Sequence, residues 1–532
     1  MSFIAERIPY SETGSFSKIV LDYLGDAAAL KPFYQFSPDI EGIKKAVAER
    51  KNFPVNRPLL SDVLQKQYKG IDTSPKLKAN LAALLSEDSF TVCTAHQPNI
   101  FTGHLYFIYK ILHAIKLSDE LNEQMPGKKF IPVYYMGSED ADLQELGEVN
   151  IHGNKYEWKT AQSGAVGRMK IDKSFMRIKE EIEGRLAVDE YGPAVLKALQ
   201  DAYRADRTIE EATFRFVHAL FNDFGLVVLL PDNRELKNAF IPVMKKELQE
   251  QFSHAALSST VAAFPKEYKV QAAGRDINLF YLDEHSRERI EKTGNGFSVA
   301  NTAIRFSKEE LDQVLMNEPE KFSPNVILRP LFQELILPDV AFIGGGGELA
   351  YWLELKNVFE VANVFFPVLL LRNSFTLINK DVSANITKLS LNTAGLFKPE
   401  QELLTGLVKK DSQLKLDLDE EKQRLSTLYE MIKIQAAAVD ATLSRHVEAL
   451  CVQALHRLES LEKKMLKAER KKFEAEQRQL SKIKNALFSG GILQERSGNI
   501  LEWLAGCGKD ILDILYKNSQ AIPTTFTVLT EQ

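Results

Sequence analysis

The sequence has few cysteines, and the three that it has lie far apart, at Cys93, Cys451 and Cys507. They form neither a zinc-ligand pattern nor the even, closely spaced set of a disulfide framework. No run of residues is long enough to span a membrane. The most apolar stretch, 364–371, is short and contains Pro367, so a buried strand is expected there. The amino terminus lacks the basic and apolar regions of a signal peptide, which predicts a cytoplasmic protein.

An excess of basic charge is also missing. The chain has 67 Lys and Arg against 72 Asp and Glu, a formal net charge of -5 and a pI near 6.1. These values argue against a protein that binds nucleic acid through bulk electrostatics. What is present is a globular composition, with 45% hydrophobic and 26% charged residues. The 532 residues exceed one hydrophobic core, so two or three domains are expected.

The segment 90–142 predicts a strand, a polar loop, a helix, a second strand and an acidic loop in turn. The strands are expected at 90–95 and 130–136, and the helix at 104–121, where apolar residues recur at helical spacing. In a parallel sheet both loops leave the carboxyl ends of their strands, where open α/β sheets bind ligands. One candidate site therefore collects the side chains His96, Gln97, Asn99, Thr102, Glu139, Asp140 and Asp142.

The rest of the amino-terminal part repeats this alternation, so residues 1–398 are predicted to form an α/β core with a parallel sheet. A small β-rich insertion is expected near 265–310, where short strand-like runs are separated by turns. Residues 399–487 carry apolar residues every seven positions, which is typical of a coiled coil. The phase breaks near 436–449, which favours an antiparallel α-helical hairpin over one rod. Residues 488–532 are expected to return to the core.

The predicted coiled coil has more apolar residues than one seam requires. Residues that lie largely off the principal heptad phases are Leu414, Leu416, Leu428, Met431, Ile434 and Leu450. Exposed apolar patches usually mark an interface, and a twofold partner is the commonest solution. A homodimer held through 399–487 is therefore predicted. The alternative is a hairpin that lies back on its own core in a monomer.

A glycine loop is the second chemical signal. Gly344, Gly345, Gly346 and Gly347, with Glu348, follow a predicted strand and open a predicted helix. Helix amino termini offer unpaired N–H groups and a positive dipole end, so an anion can bind there. The loop matches neither Gly-x-Gly-x-x-Gly nor a Walker loop, and a tight turn that needs positive φ is the alternative. Nearby residues able to complete an anion pocket are Arg329, Gln333, Tyr351, Lys356 and Arg372.

The acidic loop contains Glu139, Asp140 and Asp142, three carboxylates within four residues. They repel one another unless a cation or a cationic substrate group lies among them. Oxygen ligands suit Mg²⁺, which usually accompanies nucleotide phosphates. A solvated acidic turn is the alternative, and it is the more common one for such a loop taken alone.

The helix after the first polar loop begins with Thr102-Gly-His-Leu105. This resembles the Gly-His pair of class I nucleotidylyltransferases and pantothenate synthetase, in which the histidine stabilises charge on the ATP phosphates. Phe101 occupies the position of the first histidine in that signature. A helix-capping or packing role for His104 is the alternative.

Several motifs, in the right order, resemble those of the bacillithiol biosynthesis cysteine-adding enzyme family, BshC. They are AHQPNIFTG (95–103), LYFIYK (105–110), GSEDAD (137–142), AGRDINLFY (273–281), RPLFQELILP (329–338) and IGGGGELAY (343–351). The helical hairpin before a short carboxyl-terminal region matches too, so the resemblance spans nearly the whole chain. His104 stands where family members commonly carry proline, and Ala141 stands where many carry histidine.

The resemblance implies a Rossmann-like core related to nucleotidylyltransferases, joined to a coiled coil that forms a homodimer. It implies an enzyme that adds cysteine to the amino group of glucosaminyl-malate, the last step to bacillithiol. Amide formation from a free carboxylate needs an activated acyl group, so ATP and Mg²⁺ are expected. A tightly bound cofactor is not expected. Two alternatives remain, a nucleotidylyltransferase that uses the same site and a non-catalytic coiled-coil scaffold.

These considerations predict residue roles. His96 is a candidate proton acceptor near neutral pH, and Asp140 and Asp142 are the other candidate catalytic residues and the candidate Mg²⁺ ligands. Glu139 is expected to share in holding Mg²⁺ or a substrate ammonium group. The remaining predicted substrate-binding residues, for hydrogen bonds or for malate carboxylates and phosphate, are Gln97, Asn99, Thr102, Gly103, Arg329, Gly344, Gly345, Gly346, Gly347, Glu348, Tyr351 and Arg372.

Overall fold

A computed structural model describes residues 2–272, 274–412 and 414–532. Ala273, the first residue of one motif quoted above, lies outside the described residues. The chain divides into two compact units, the first made of Met1–Thr376 and Ile492–Leu529 and the second of Leu377–Gly491 and Thr530–Gln532. Within the described ranges, no helix has the length and apolarity required to cross a bilayer.

Both units are built from the elements below, numbered in chain order. The strands are β1 (Phe3–Pro9), β2 (Ser89–His96), β3 (Lys129–Met136), β4 (Glu148–Ile151), β5 (Asn154–Glu157), β6 (Val227–Leu229), β7 (Leu279–Leu282), β8 (Arg287–Thr293), β9 (Gly296–Val299), β10 (Arg305–Ser307), β11 (Phe322–Pro324), β12 (Asp339–Gly344), β13 (Val368–Leu371), β14 (Phe375–Ile378) and β15 (Thr525–Glu531). The α-helices are α1 (Lys18–Leu24), α2 (Ile40–Arg50), α3 (Arg57–Gln67), α4 (Pro75–Ala83), α5 (Leu105–Gln124), α6 (Leu143–Leu146), α7 (Lys173–Leu186), α8 (Gly192–Ala202), α9 (Ile209–Phe221), α10 (Arg234–Glu250), α11 (Phe252–Ala263), α12 (Lys308–Asn317), α13 (Arg329–Ile336), α14 (Gly346–Ala362), α15 (Lys380–Lys388), α16 (Glu400–Asp411), α17 (Asp419–Val439), α18 (Leu443–Arg470), α19 (Glu474–Leu487), α20 (Ile500–Cys507) and α21 (Asp510–Asn518).

The central sheet of the first unit has five parallel strands in the order β13-β12-β2-β3-β6. Read from β6, this is the Rossmann order 3-2-1-4-5. Every residue of β2 is buried, as expected for a parallel strand covered on both faces. The chain order reverses between β2 and β12, where Ile343 lies opposite Thr94. The loops after these two strands therefore flank the switch point, where such sheets bind ligands.

The predicted fold class is confirmed. The first predicted strand pair corresponds to β2 and β3, and the predicted helix between them is α5. The β-rich part forms an antiparallel sheet in the order β10-β9-β8-β7-β11. A three-stranded sheet has the order β1-β15-β14, and β4 pairs with β5. The insertion sheet supplies one charged residue, Arg287, to the site described below.

The second unit is helical, and α17 and α18 form an antiparallel hairpin. Two ion pairs fix the direction, Lys422 with Glu462 at 2.5 Å and Lys433 with Glu448 at 2.6 Å. The residue number rises along α17 as it falls along α18, which only an antiparallel pair allows. The break between the two helices, at 440–442, falls in the segment where the heptad pattern weakens.

Candidate active site

A cavity of about 580 Å³ lies in the first unit, and residues that follow β2, β3 and β12 form its wall. The structure brings eleven of the predicted site residues to this wall, namely His96, Gln97, Glu139, Asp140, Arg329, Gly345, Gly346, Gly347, Glu348, Tyr351 and Arg372. Asn99, Thr102, Gly103, Asp142 and Gly344 lie outside the lining. The sheet topology explains why these residues lie together, since the carboxyl ends of parallel strands meet at one edge of the sheet.

His96 ends β2 and is 9% exposed. Its Nε2 atom has no hydrogen-bond partner among the described residues, and the rings of Tyr106 and Phe107 lie 5.4 and 5.3 Å from its own. Burial, followed by the nearby charge of Lys110, lowers the pKa of His96 well below its usual 6.5. The imidazole is therefore neutral at neutral pH.

The loop after β2 has a constrained backbone. Phe101 and Thr102 have φ of +50° and +70°, and Gly103 has φ of +61°. A Cβ at Gly103 would lie 2.8 Å from Cβ of Asn99, so only glycine fits there. The Nδ2 atom of Asn499 donates to the carbonyl oxygens of Phe101 at 2.9 Å and of Gly103 at 2.6 Å. Asn99, Thr102 and Gly103 thus shape the loop from outside the cavity lining.

The carboxylates of the acidic loop point to different partners, and Glu139 is already neutralised. Glu139 forms an ion pair with Lys237 of α10, and the Lys237 side chain is 1% exposed. Glu139 also accepts a hydrogen bond from Ser323 Oγ at 3.1 Å. Burial nevertheless raises the pKa of Glu139, with Lys237 opposing the shift. Because its cation comes from the protein, Glu139 does not need a ligand cation to be stable in the wall.

Asp140 faces the cavity, where its Oδ2 accepts a hydrogen bond from Gln97 Nε2 at 3.1 Å. Asp142 instead caps α6, accepting from the backbone N–H of Glu145 at 3.0 Å. Glu145 also lines the cavity, and burial with the neighbouring carboxylates of Asp142 and Asp140 raises its pKa. The described residues contain no group of three or more His, Cys, Asp or Glu arranged to hold a metal ion.

The glycine loop forms the amino terminus of α14. Gly345 is the N-cap, and its N–H donates to Glu348 Oε2 at 2.8 Å. None of the four glycines has positive φ, so that requirement does not explain them. A Cβ at Gly346 would lie 3.0 Å from Val20 Cγ2, whereas one at Gly347 would meet no atom within 4 Å. Gly347 thus borders open space in the wall, beside the N–H groups of the first helical turn, which have no partner within the helix.

Lys110 of α5 is a site residue that the sequence did not single out as one. Its Nζ donates to Ala95 O at 3.0 Å and forms an ion pair with Glu348. Burial lowers the pKa of Lys110, while Glu348 opposes the shift. The pair joins the end of β2 to the start of α14. A lysine on the apolar stretch of a predicted helix was the available signal, since buried lysines need a partner.

Arginine is the most frequent charged residue in the wall. The arginines are Arg275, Arg287, Arg329, Arg372 and Arg496. Arg372 donates to both carboxylate oxygens of Glu495, at 2.8 and 2.6 Å, so its charge is compensated. For the other four, no carboxylate in the described part of the chain lies within ion-pair distance. The cavity therefore presents unneutralised positive charge together with Asp140 and Glu145.

Comparison with known proteins shows the family of this chain. Residues 3–373 match the N-terminal Rossmann-like domain of bacillithiol biosynthesis BshC, and residues 375–531 match its C-terminal coiled-coil domain. The chain belongs to the BshC family. The resemblance inferred from the sequence motifs is thereby confirmed.

Three relatives, each named "Putative cysteine ligase BshC", cover the chain almost completely. The Flavobacterium johnsoniae protein is 37% identical over 98% of this chain and 99% of its own length. The Flavobacterium psychrophilum protein is 38% identical over 98% of both chains. The Cytophaga hutchinsonii protein is 37% identical over 99% of this chain and 98% of its own. All six segments that carry the BshC resemblance contribute residues to the cavity wall.

Proposed function

We propose that this BshC-family protein is a cytoplasmic ligase that joins cysteine to the amino group of glucosaminyl-malate, the last step of bacillithiol biosynthesis. The observation that carries the proposal is the charge of the cavity wall, four arginines without carboxylate partners beside Asp140 and Glu145. Glucosaminyl-malate has two carboxylates and one ammonium group, so its charges are complementary to that wall. The name shared by the relatives supports cysteine as the second substrate.

One malate carboxylate is assigned to Arg329, and a phosphate of the nucleotide is assigned to the first turn of α14. A guanidinium binds a carboxylate with two parallel hydrogen bonds, and the N–H groups at Gly346 and Gly347 favour an anion. Because Lys110 and Glu348 neutralise each other, they hold the turn in place and leave the positive helix end for the ligand.

The amino group of the sugar is assigned to Asp140. An ammonium ion must lose a proton before it can attack an activated carboxyl group. His96 is the proton acceptor in this proposal, because its buried imidazole is neutral and its Nε2 has no partner in the described structure. Because its pKa is lowered, the imidazolium then releases the proton to water.

ATP is proposed to activate the cysteine carboxylate, as an acyl-adenylate or an acyl phosphate. Magnesium usually binds through one or two carboxylates together with substrate phosphates. Glu145 is a wall carboxylate without a basic partner in the described structure, so it would hold Mg²⁺ with the nucleotide. Glu139 and Asp142 are engaged by Lys237 and by α6.

The direct test is to combine purified protein, glucosaminyl-malate, cysteine and Mg-ATP and to search for the amide by mass spectrometry. The amide is expected, with AMP marking an acyl-adenylate and ADP an acyl phosphate. No amide under any nucleotide condition would refute the ligase. Release of pyrophosphate in the absence of cysteine would support the nucleotidylyltransferase alternative.

Asp140→Asn is expected to lower kcat/KM for the sugar substrate by about 10-fold to 100-fold, since a charged hydrogen bond contributes about 1.5–3 kcal/mol. Asp142→Asn is the control, because asparagine is an equally good N-cap and Asp142 lies outside the lining. Steady-state kinetics on both variants measures the difference. Unchanged turnover in Asp140→Asn would remove Asp140 from the mechanism.

A further inference from the structure

A continuous chain of polar contacts runs from Lys237 of α10 to Arg287 of β8. Lys237 contacts one carboxylate oxygen of Glu139, and the other oxygen accepts from Ser323 Oγ at 3.1 Å. Ser323 Oγ in turn accepts from Arg287 Nε, also at 3.1 Å. Lys237 is 1% exposed and Ser323 is fully buried. The chain thus connects the loop after β3 to the β-rich sheet.

In each hydrogen bond of this chain of contacts, the donor and the acceptor are fixed. The ammonium group of Lys237 can only donate, so Glu139 accepts from it. The single hydroxyl proton of Ser323 is used on the second oxygen of Glu139, which turns the lone pairs of Ser323 Oγ toward the Nε–H of Arg287. The position of the Arg287 guanidinium therefore depends on Lys237 and Glu139, although neither donates to it or accepts from it.

The remaining direct contacts of Arg287 are with neutral groups, and the carboxylates of Glu139 and Asp140 act on it only from a distance. Its Cζ lies 4.0 Å from the ring centroid of Phe280, and its Nη2 donates to Pro324 O at 3.2 Å. In the ranges that the structure describes, its Nη1 has no hydrogen-bond partner, and every acceptor on its side chain is neutral. A guanidinium that has only neutral acceptors can still bind an anion through a charged hydrogen bond, and the cavity that Arg287 lines is where one can bind.

Arg329 lies at the other end of the segment 324–329, and its guanidinium also donates only to neutral acceptors. Its Nη1 donates to Gln333 Oε1 at 3.1 Å and its Nη2 to Tyr351 Oη at 3.2 Å, both neutral acceptors. The segment 324–329 joins the two arginines, since Pro324 accepts from Arg287 and Arg329 opens α13. Two guanidiniums with free charge thus border one cavity.

We propose that Arg287 is a carboxylate receptor of this cavity, paired with Arg329, and that Lys237, Glu139 and Ser323 are the positioning residues that hold it. The ligand class is a dicarboxylate, and each guanidinium binds one carboxylate. Glu139, predicted as a cation ligand, acts instead through Ser323. The assignment deepens the proposed function and rests on it for the identity of the sugar.

The experiment measures binding of malate, a dicarboxylate, and of lactate, which lacks the second carboxylate, by calorimetry. Arg287→Met is expected to weaken malate binding about a hundredfold, and Ser323→Ala about tenfold, because the first loses the charged contact and the second only its alignment. Lactate binding is expected to change less than threefold in Ser323→Ala. Ser118→Ala is the matched control, a buried serine of α5 whose hydroxyl has no partner among the described residues, and it is expected to bind malate normally.

Two results would overturn the proposal. One is wild-type malate affinity in Arg287→Met with an unchanged melting curve. The other is an equal loss of malate and lactate binding in Ser323→Ala, which would mean general loosening of the wall. Malate binding needs neither cysteine nor ATP, so a protein that binds malate through Arg287 but makes no amide would refute the proposed ligase and retain this receptor.

Discussion

Replacing Arg329 by methionine is expected to lower kcat/KM for the sugar substrate about a hundredfold and to leave the melting temperature unchanged or slightly higher. Two hydrogen bonds to a carboxylate are lost, a loss of about 3 kcal/mol, and 1.36 kcal/mol corresponds to a factor of ten. Stability is retained because Arg329 has only the neutral acceptors Gln333 and Tyr351. No charged partner is left behind, and a desolvated charge is removed.

Arg372→Met is the matched control, since this arginine lines the same cavity with a compensated charge. Its removal leaves Glu495, which is 1% exposed, without its guanidinium. Breaking a buried ion pair from one side costs about 3–5 kcal/mol, so the melting temperature is expected to fall. Kinetics and thermal melts on both variants separate the two effects. Full kcat/KM in Arg329→Met would contradict the assignment of Arg329 to substrate.

The meeting of the candidate site residues at one cavity could be predicted from sequence because it depends on local patterns and on topology. β2 and β3 are continuous apolar runs buried on both faces, and such runs are recognised without knowledge of their neighbours. Once the two strands are parallel, His96 and Asp140 must lie at one edge of the sheet. The glycine loop reaches the same edge because β12 pairs with β2 at the switch point.

The charge state of the site could not be predicted, because it depends on partners distant in sequence. Glu139 is neutralised by Lys237, 98 positions later, and Arg372 by a residue 123 positions later. Arg287 lies in the strand sequence RERIEKT, whose alternating charges are typical of a solvated edge. Only the packing of Ser323 and Phe280 against it shows that it lines a cavity.

The helical hairpin is expected to hold the protein as a homodimer, because apolar side chains on its outer faces remain exposed. Of the residues predicted to lie off the seam, Leu416 is buried, with 5% of its surface exposed. The others remain exposed, with Leu414 at 57%, Leu428 at 51%, Met431 at 58%, Ile434 at 70% and Leu450 at 39%. No residue of α17 is fully buried within the described chain. A second copy would cover this surface.

The exposed residues form stripes. Leu428, Ile432 and Val439 recur at spacings of four and seven on α17, and they are 51%, 38% and 84% exposed. Leu443, Leu450 and Leu461 recur at spacings of seven and eleven on α18, and they are 39%, 39% and 48% exposed. Such spacings place residues on one side of a helix. A second copy that covers both stripes would bury these side chains.

The double variant Leu428→Lys with Leu450→Lys is therefore expected to convert the dimer into monomers, because burying two lysines without partners opposes association. Light scattering at micromolar concentration should give twice 60.1 kDa for the native chain and 60.1 kDa for the variant. Gln423→Lys, an exposed polar position on another side of α17, should remain dimeric. A native mass of 60.1 kDa would refute the dimer. A dimer that persists after residues 399–487 are replaced by a short linker would place the interface elsewhere.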